Sequence, residues 1–239
     1  MLVVLTLTTI FIRLGFWQLE RMEERRVINA EGEERISQDP IHLPQLLAEA
    51  DGDFEPLEFR RVLVTGHFDP ESEVLIRSQV ELGQAGFHVI TPLVADDGRA
   101  VLVNRGWVPL TMDTPPVGPR PPSGEEVVEG WVQLTQTRPA FGPDAQPGEE
   151  RVFNRVDIAR IAETMSYDLA PVFVVQVGER GNDLPILVSP PDFADGGPHL
   201  SYAIQWFGFA AVVLVGFFFL IRRKGPSRTS DRSRGIFTG

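Results

Sequence analysis

The chain has 239 residues, a formal net charge of −11 and no cysteine. The lack of cysteine excludes disulfide stapling, thiol redox chemistry and thiolate metal sites. Basic residues are concentrated near the C-terminus, so the middle of the chain is strongly acidic, which argues against nucleic acid as a partner.

The first 19 residues form an apolar run that only Arg13 interrupts. A cleaved signal peptide is one interpretation, but the run has no basic segment before it and no small-residue cleavage site, and a charged, helix-compatible stretch follows. We therefore predict that residues 1–19 are an uncleaved transmembrane helix, with Trp17 at the membrane interface. Because few residues precede Trp17, we expect the native start to lie upstream of Met1.

The charged stretch 21–34 is predicted to continue the first helix as an exposed extension, which Asp39 and Pro40 end. Residues 43–50 are predicted to form a short helix. A further helix is expected after Asn154, a residue suited to capping, because Ile158, Ile161, Ala162 and Met165 keep helical spacing.

Between and after these helices the hydrophobic period changes to that of strands. Short runs rich in Val, Ile, Phe and Trp predict six strands, at residues 59–68, 74–78, 86–95, 99–109, 127–134 and 171–177. Asp97-Gly98 predicts a hairpin turn between two of them. Two Pro- and Gly-rich stretches, 114–124 and 141–150, are predicted loops. Residues 20–198 should therefore form one domain, a mostly antiparallel barrel or sandwich with two or three short helices.

The second apolar segment, residues 200–221, contains no charged residue and reaches about 33 Å as a helix, enough to cross a bilayer. We predict a transmembrane helix over residues 199–221, with His199, Tyr202 and Trp206 on one side of its outer half. The tail, residues 222–239, is basic and should remain in the cytoplasm. This multi-pass topology puts both termini in the cytoplasm and residues 20–198 outside it.

No catalytic pattern is present: the chain has no nucleophile elbow, P-loop, zinc-protease motif or dinucleotide fingerprint. The four histidines lack metal-ligand spacing, and scattered methionines without cysteine argue against copper. An enzyme whose groups are distant in sequence stays open as an alternative, but we predict a protein without enzymatic activity.

Five stretches, in order along the chain, resemble the motifs of the surfeit locus protein 1 family of cytochrome c oxidase assembly factors: LGFWQLERMEER, VTGHFDPESEVLIRSQ, GFHVITPL, VLVNRGWVP and HLSYAIQWFGFA. The resemblance implies a protein of the bacterial cell (inner) membrane that helps to mature the haem-containing subunit I of a terminal oxidase. It further implies transient binding of haem a through His199 and Trp206, and contact with haem A synthase. A structural chaperone that never binds haem is the alternative.

Each candidate residue has an ordinary and a functional interpretation. His199 is either an interfacial residue or an axial haem ligand, and Tyr202 and Trp206 are either membrane-belt anchors or porphyrin contacts. Arg13 either snorkels to the interface or faces a haem propionate across the helix pair. Arg105 and Trp107 belong either to a structural turn at the end of a strand or to a surface that binds the oxidase. Gln18 and Arg21 are expected to orient the first helix against the second helix or against the domain.

Overall fold

The computed structural model describes residues 1–81, 83–137, 151–178, 181, 183–194 and 197–223. They fall into two compact units, one made of residues 1–29 with those following 193, the other of residues 30–193. The predicted loop 141–150 and the basic tail beyond residue 223 lie outside the described residues.

Four helices and eight strands are described, and the two longest helices stand at the two ends of the chain. The helices are α1 (Leu2–Ser37), α2 (Leu43–Glu49), α3 (Ile158–Ala162) and α4 (His199–Arg223). The strands are β1 (Ile41–His42), β2 (Arg61–Phe68), β3 (Val74–Glu81), β4 (Gln84–Val94), β5 (Arg99–Pro109), β6 (Glu126–Leu134), β7 (Val152–Phe153) and β8 (Asp168–Gln176).

Both α1 and α4 are long enough and apolar enough to cross a membrane. The first part of α1 is apolar, and its charged second part continues as a helix to Ser37, as predicted. No charged residue occurs in α4 between His199 and Arg222. The sequence prediction of two flanking membrane-length helices and a β-rich domain is confirmed.

The strands of the second unit form a closed barrel. The hydrogen-bonded order β2-β6-β8-β5-β4 returns to β2, because His67 and Phe68 pair with Val94 and Leu93 of β4. Closure needs β2 and β4 to come very near each other at Gly66, where an added Cβ would lie 2.5 Å from the Val94 carbonyl oxygen. This close backbone approach explains why glycine is required at position 66.

Alternate residues along the barrel strands enter two different hydrophobic clusters. Val101, Val103, Val172 and Val174 belong to a cluster that α2 covers through Leu43 and Leu46. Leu102, Phe173 and Val175 belong to a second cluster that α3 covers through Ile158 and Ile161. Because both faces of these strands are buried there, residues 100–103 and 172–175 are apolar at every position.

The predicted strands match the observed ones to within a few residues, and the Asp97-Gly98 hairpin joins β4 to β5 as expected. Gly98 has φ +82° and its N–H donates to the Ala95 carbonyl at 2.9 Å. The expected helix cap at Asn154 is wrong, because α3 begins later and the Asp157 side chain accepts from the Arg160 N–H. Most pairs are antiparallel, and β1–β2, β3–β7 and β5–β8 are parallel.

Candidate functional site

The helix pair of the first unit is held together by aromatic rings and small residues. Phe11 of α1 stacks on Trp206 of α4 with ring centroids 5.7 Å apart, and Phe209 packs against both rings. Gly15 lets the Phe207 ring approach, since an added Cβ would lie 2.6 Å from it. Tight contact through small and aromatic residues is what drives helix association where no water is present to favour burial.

At one end of this pair, His199 is hydrogen-bonded to Gln18. The His199 Nδ1 lies 2.9 Å from Gln18 Oε1, and because that amide oxygen only accepts, the ring donates from Nδ1. In the neutral tautomer so defined, Nε2 carries the lone pair. The sequence expectation that Gln18 orients the first helix is confirmed by this contact with the second.

Gly197 keeps space open beside the same ring. Its backbone has φ +68°, and an added Cβ would lie 3.3 Å from Cδ2 and 3.5 Å from Nε2 of His199. Only glycine adopts this backbone without strain and also leaves the ring edge uncovered. The His199 ring is thus held at Nδ1, and Gly197 lies beside the edge that bears Cδ2 and Nε2.

The other two residues predicted on this face differ from each other in their surroundings. Tyr202 is 47% exposed, which leaves its ring available to a ligand or to the bilayer interface. Trp206 is half-buried, and its ring is engaged by Phe11 and Phe209. A role of these residues in haem binding stays a prediction, in which Trp206 would act while packed into the helix pair.

Arg13 does not point from α1 toward α4. It is exposed, and it lies about 200° around the helix from Gly15 and from Phe11, the positions that contact α4, at 100° per residue. The contact expected across the helix pair therefore does not fit this geometry. Partner binding by Arg13 stays a prediction, on the opposite face of α1.

In the second unit, the Asn104-Arg105-Gly106-Trp107 motif forms a β-bulge inside β5. The register with β4 shifts between Ile90, opposite Asn104, and Val89, opposite Gly106, so Arg105 is the extra residue. Asn104 Oδ1 accepts from the Gly106 N–H at 3.0 Å, and Gly106 has φ +132°. The expected turn at the end of a strand is thus a bulge inside β5, and the backbone angle of Gly106 is one that favours glycine.

The bulge also binds a segment that follows β8. Trp107 N–H donates to the Ile186 carbonyl at 2.7 Å, and Ile186 N–H donates back at 2.9 Å. An added Cβ on Gly106 would lie 2.5 Å from the Ile186 oxygen, so the close contact needs glycine. Trp107 itself is only 4% exposed. The motif therefore holds parts of the domain together, and an interaction of Trp107 with a partner stays a prediction.

Arg105 is buried in an ion pair with Glu73, a residue that the sequence analysis did not single out. Arg105 Nη1 lies 3.3 Å from Glu73 Oε2, and both side chains are at least nine-tenths buried. Thr91 Oγ1 donates to the same oxygen, and the Val117 N–H donates to Oε1 at 2.7 Å. Burial raises the pKa of Glu73, while these hydrogen bonds and the Arg105 charge act in the opposite direction.

This network fastens the predicted loop 114–124 to the barrel. Arg105 Nη2 donates to the Pro119 carbonyl at 3.1 Å, and Arg151 donates to the backbone oxygens of Glu73 and Glu71. A glutamate in an acidic chain is expected to be solvated, so the composition did not indicate that Glu73 is buried. Arg105 organises the interior of the domain, and a docking role for it stays a prediction.

His88 lies beside the bulge and is neutral at physiological pH. Its Nδ1 accepts a hydrogen bond from Asn104 Nδ2 at 3.1 Å. Burial lowers the pKa of His88 to about 4. Asn104 therefore links a buried imidazole to the backbone of Gly106.

A largely apolar cavity of about 720 Å³ lies between α2 and one end of the barrel. Its apolar walls include Leu47, Leu63 and Leu169, and the Asp97–Arg99 ion pair lies on its rim. None of the predicted site residues lines it. Among the described residues, no group of three or more His, Asp or Glu side chains is placed to hold a metal ion.

Comparison with known proteins matches residues 5–211 to the SURF1 family. The chain belongs to the SURF1 family. A SURF1-like protein of Mycobacterium tuberculosis is 31% identical over 212 residues, which cover 87% of this chain and 77% of that protein. One from Monosiga brevicollis is 32% identical over 249 residues, covering 96% and 90% of the two chains.

A third relative is named for its role. The cytochrome oxidase assembly protein SHY1 of Saccharomyces cerevisiae is 33% identical over 96 residues, covering 40% of this chain and 24% of SHY1. The family assignment confirms the resemblance drawn from the sequence motifs.

Proposed function

We propose that this SURF1 family member is a membrane-anchored assembly factor for a haem–copper terminal oxidase, a cytochrome c oxidase. Membership of the family and the name of the yeast relative, a cytochrome oxidase assembly protein, support an oxidase as the target. Two membrane-length helices and a barrel domain are suited to a protein that stays beside a membrane-embedded subunit while it matures. This role requires affinity for a partner or cofactor and no catalytic group.

The observation that carries the cofactor part of the proposal is the His199–Gln18 hydrogen bond. With Nδ1 engaged at 2.9 Å, the neutral ring presents Nε2, the nitrogen available for an axial bond to haem iron. Gly197 places no side chain against the edge of that ring, and Tyr202 is exposed one turn further along α4. In this proposal His199 holds haem a as cargo, and the oxidase subunit, which binds it more tightly, takes it up.

The proposal places the barrel domain outside the cytoplasm and both termini inside it. Arg222 and Arg223 end α4, and the sequence after them is rich in Arg. By the positive-inside rule this end of α4 faces the cytoplasm of a bacterial cell, so that His199, at the other end, faces the external side of the inner membrane. The partners there would be oxidase subunit I and haem A synthase.

A second candidate function is that of a structural chaperone that never binds haem. It is favoured by the contacts of the predicted ligands with α1, since Trp206 is stacked on Phe11 and His199 is bonded to Gln18. On this view the residues only hold the helix pair together for a partner.

The two functions are separated by visible spectra of the protein purified from cells that make haem a. The first function predicts a Soret band in the wild type and in the control His67→Ala, whose side chain is exposed in the barrel domain. It predicts loss of the band in His199→Ala. No band in the wild type, or an unchanged band in His199→Ala, would leave only the structural chaperone.

Gly197→Ala gives an independent probe of the same site. The added methyl group is strained by the backbone angle of +68° and covers the ring edge, so we expect a weakened Soret band. Gly216→Ala in α4 is the matched control, because an added Cβ there has no neighbour within 4 Å.

Deletion of the gene in its host should remove the a-type haem signal of membranes and leave b-type and c-type signals intact. A retained a-type signal would contradict an assembly role.

A further inference from the structure

The apolar part of α1 carries a polar face that no other part of the helix pair covers. Thr6, Thr9 and Arg13 are all exposed, although they lie in a helix apolar enough to cross a membrane. At 100° per residue the three fall within a sector of about 60°. We call Thr6, Thr9 and Arg13 the polar face of α1.

This polar face lies opposite the side of α1 that packs on α4. Phe11, Gly15 and Gln18, which contact α4, are centred about 180° away from it at the same helical period. Phe16 reaches Phe207 from the flank, with ring centroids 5.5 Å apart. The polar face is therefore directed away from α4, toward whatever surrounds the helix pair.

The chain itself supplies no counter-ion for Arg13 within its apolar segments. Neither residues 1–19 nor residues 199–221 contain Asp or Glu. A cation inside a bilayer costs about 2.5 to 3.5 kcal/mol on the scale of membrane insertion, and such residues usually pair with an opposite charge. The charge of Arg13 is thus complementary to a carboxylate on a neighbouring membrane helix.

Snorkelling explains Arg13 alone and leaves the rest of the polar face unexplained. Trp17 lies on the same side of α1, one turn nearer the charged extension, and marks the interface that Arg13 can reach. Thr9 and Thr6 lie about 6 Å and 10 Å further from that interface, beyond the reach of a headgroup. Their hydroxyls donate to the Leu5 and Leu2 carbonyls, and each hydroxyl oxygen can still accept a hydrogen bond.

We propose that the polar face of α1 docks a transmembrane helix of a second protein, one that carries an acidic side chain opposite Arg13 and a hydrogen-bond donor near Thr6 and Thr9. Polar residues on a lipid-exposed surface are costly, and interhelical hydrogen bonds and ion pairs are a common way to satisfy them. The pair α1 and α4 then serves as a template that presents one specific face to its membrane partner. For the identity of the partner alone, this inference rests on the proposed function, which names oxidase subunit I.

The test places a benzophenone photoprobe at Ile10, which is 46% exposed beside the polar face, in the full-length chain in membranes of its host. The control position is Val212 of α4, 70% exposed. We expect a discrete adduct with one integral membrane protein from Ile10 and none from Val212. In Arg13→Leu the adduct should fall by at least about tenfold, the change that accompanies about 1.4 kcal/mol, while Arg13→Lys retains it.

Once mass spectrometry has identified the adduct, Arg13→Glu should abolish it, and replacing the partner's carboxylate by Lys should restore it. Adducts with phospholipid alone, or a protein adduct that persists in Arg13→Leu at equal abundance, would overturn the proposal. An Arg13-dependent adduct with a protein unrelated to the oxidase would support this docking face and count against the proposed function. Loss of the a-type haem signal on gene deletion, without any adduct, would support the proposed function and overturn the docking face.

Discussion

Gln18 Oε1 and His199 Nδ1 are 2.9 Å apart although 181 positions separate them in the chain. The contact joins the middle of α1 to the first residue of α4 and determines which imidazole nitrogen carries the proton. A second contact, the Phe11–Trp206 stack, lies deeper in the same pair and does not depend on it. The orientation of His199 and the association of the helices are therefore separable.

Replacing Gln18 should lower function without loss of the protein. Gln18→Leu removes the acceptor, so the ring is free to rotate and either nitrogen can carry the proton. We expect about a tenfold lower occupancy by a-type haem, the range reported for loss of an outer-shell partner of a ligating histidine. The Soret absorbance per protein, compared with that of Gln18→Glu, checks this. Equal absorbance in Gln18→Leu and the wild type would contradict it.

The Glu73–Arg105 pair should be costly to break singly. Arg105→Met leaves a buried carboxylate without its cation, and Glu73→Gln leaves a buried guanidinium, each costing about 3 kcal/mol in free energy of unfolding. The double variant should cost less than the sum of the two. Thermal unfolding followed by tryptophan fluorescence measures this cycle on the full-length chain.

The Arg120–Glu71 pair is the matched control for that cycle. Its atoms are 3.0 Å apart, but the two side chains are 72% and 65% exposed. Removing either partner should therefore change the unfolding free energy by less than about 1 kcal/mol. Similar losses for the buried and exposed pairs would show that burial of Glu73 is not the cause.

The barrel domain should lose stability on mild acidification because of His88. Its pKa is about 4 in the fold, below the ordinary value near 6.5, so folding favours the neutral ring. That contribution is fully present above pH 6.5 and is lost as the pH falls toward 4, by at most about 3 kcal/mol. In His88→Gln, which keeps an acceptor for Asn104, stability should depend less on pH between about 7 and 5. A parallel pH dependence in both proteins would contradict the assignment.

Local sequence signals predicted the elements well wherever one period dominates. The bounds of β5 follow from two apolar runs, residues 100–103 and 107–109, on either side of the polar bulge and after the Asp97-Gly98 turn. The end of β3 was missed because Ser78 has φ +62° within a register shift between Ile76 and Gln79, which disrupts the alternation. Two-residue strands such as β1 leave no period to detect.

What the sequence did not predict depends on distant partners. The order of the family motifs along the chain pointed to His199 and Trp206. Their contacts with Gln18 and Phe11 were not predicted, because they join the two ends of the chain. In the sequence, nothing distinguishes Glu73 from the other acidic residues. Its role depends on hydrogen bonds with Val117, Thr91 and Arg105, which only the fold brings to it. Barrel closure rests on pairing between β2 and β4, for which no local pattern exists.

One junction between neighbouring strands of the barrel is much shorter than the others. Two residue pairs join β2 to β4, whereas every other junction around the ring has at least five. Local opening of the barrel should begin where the fewest backbone pairs join neighbouring strands. Amide protons at His67, Phe68 and Val94 should therefore exchange before those at the other strand junctions. A barrel that opens only between β2 and β4 can expose its interior briefly and close again with the same strand order.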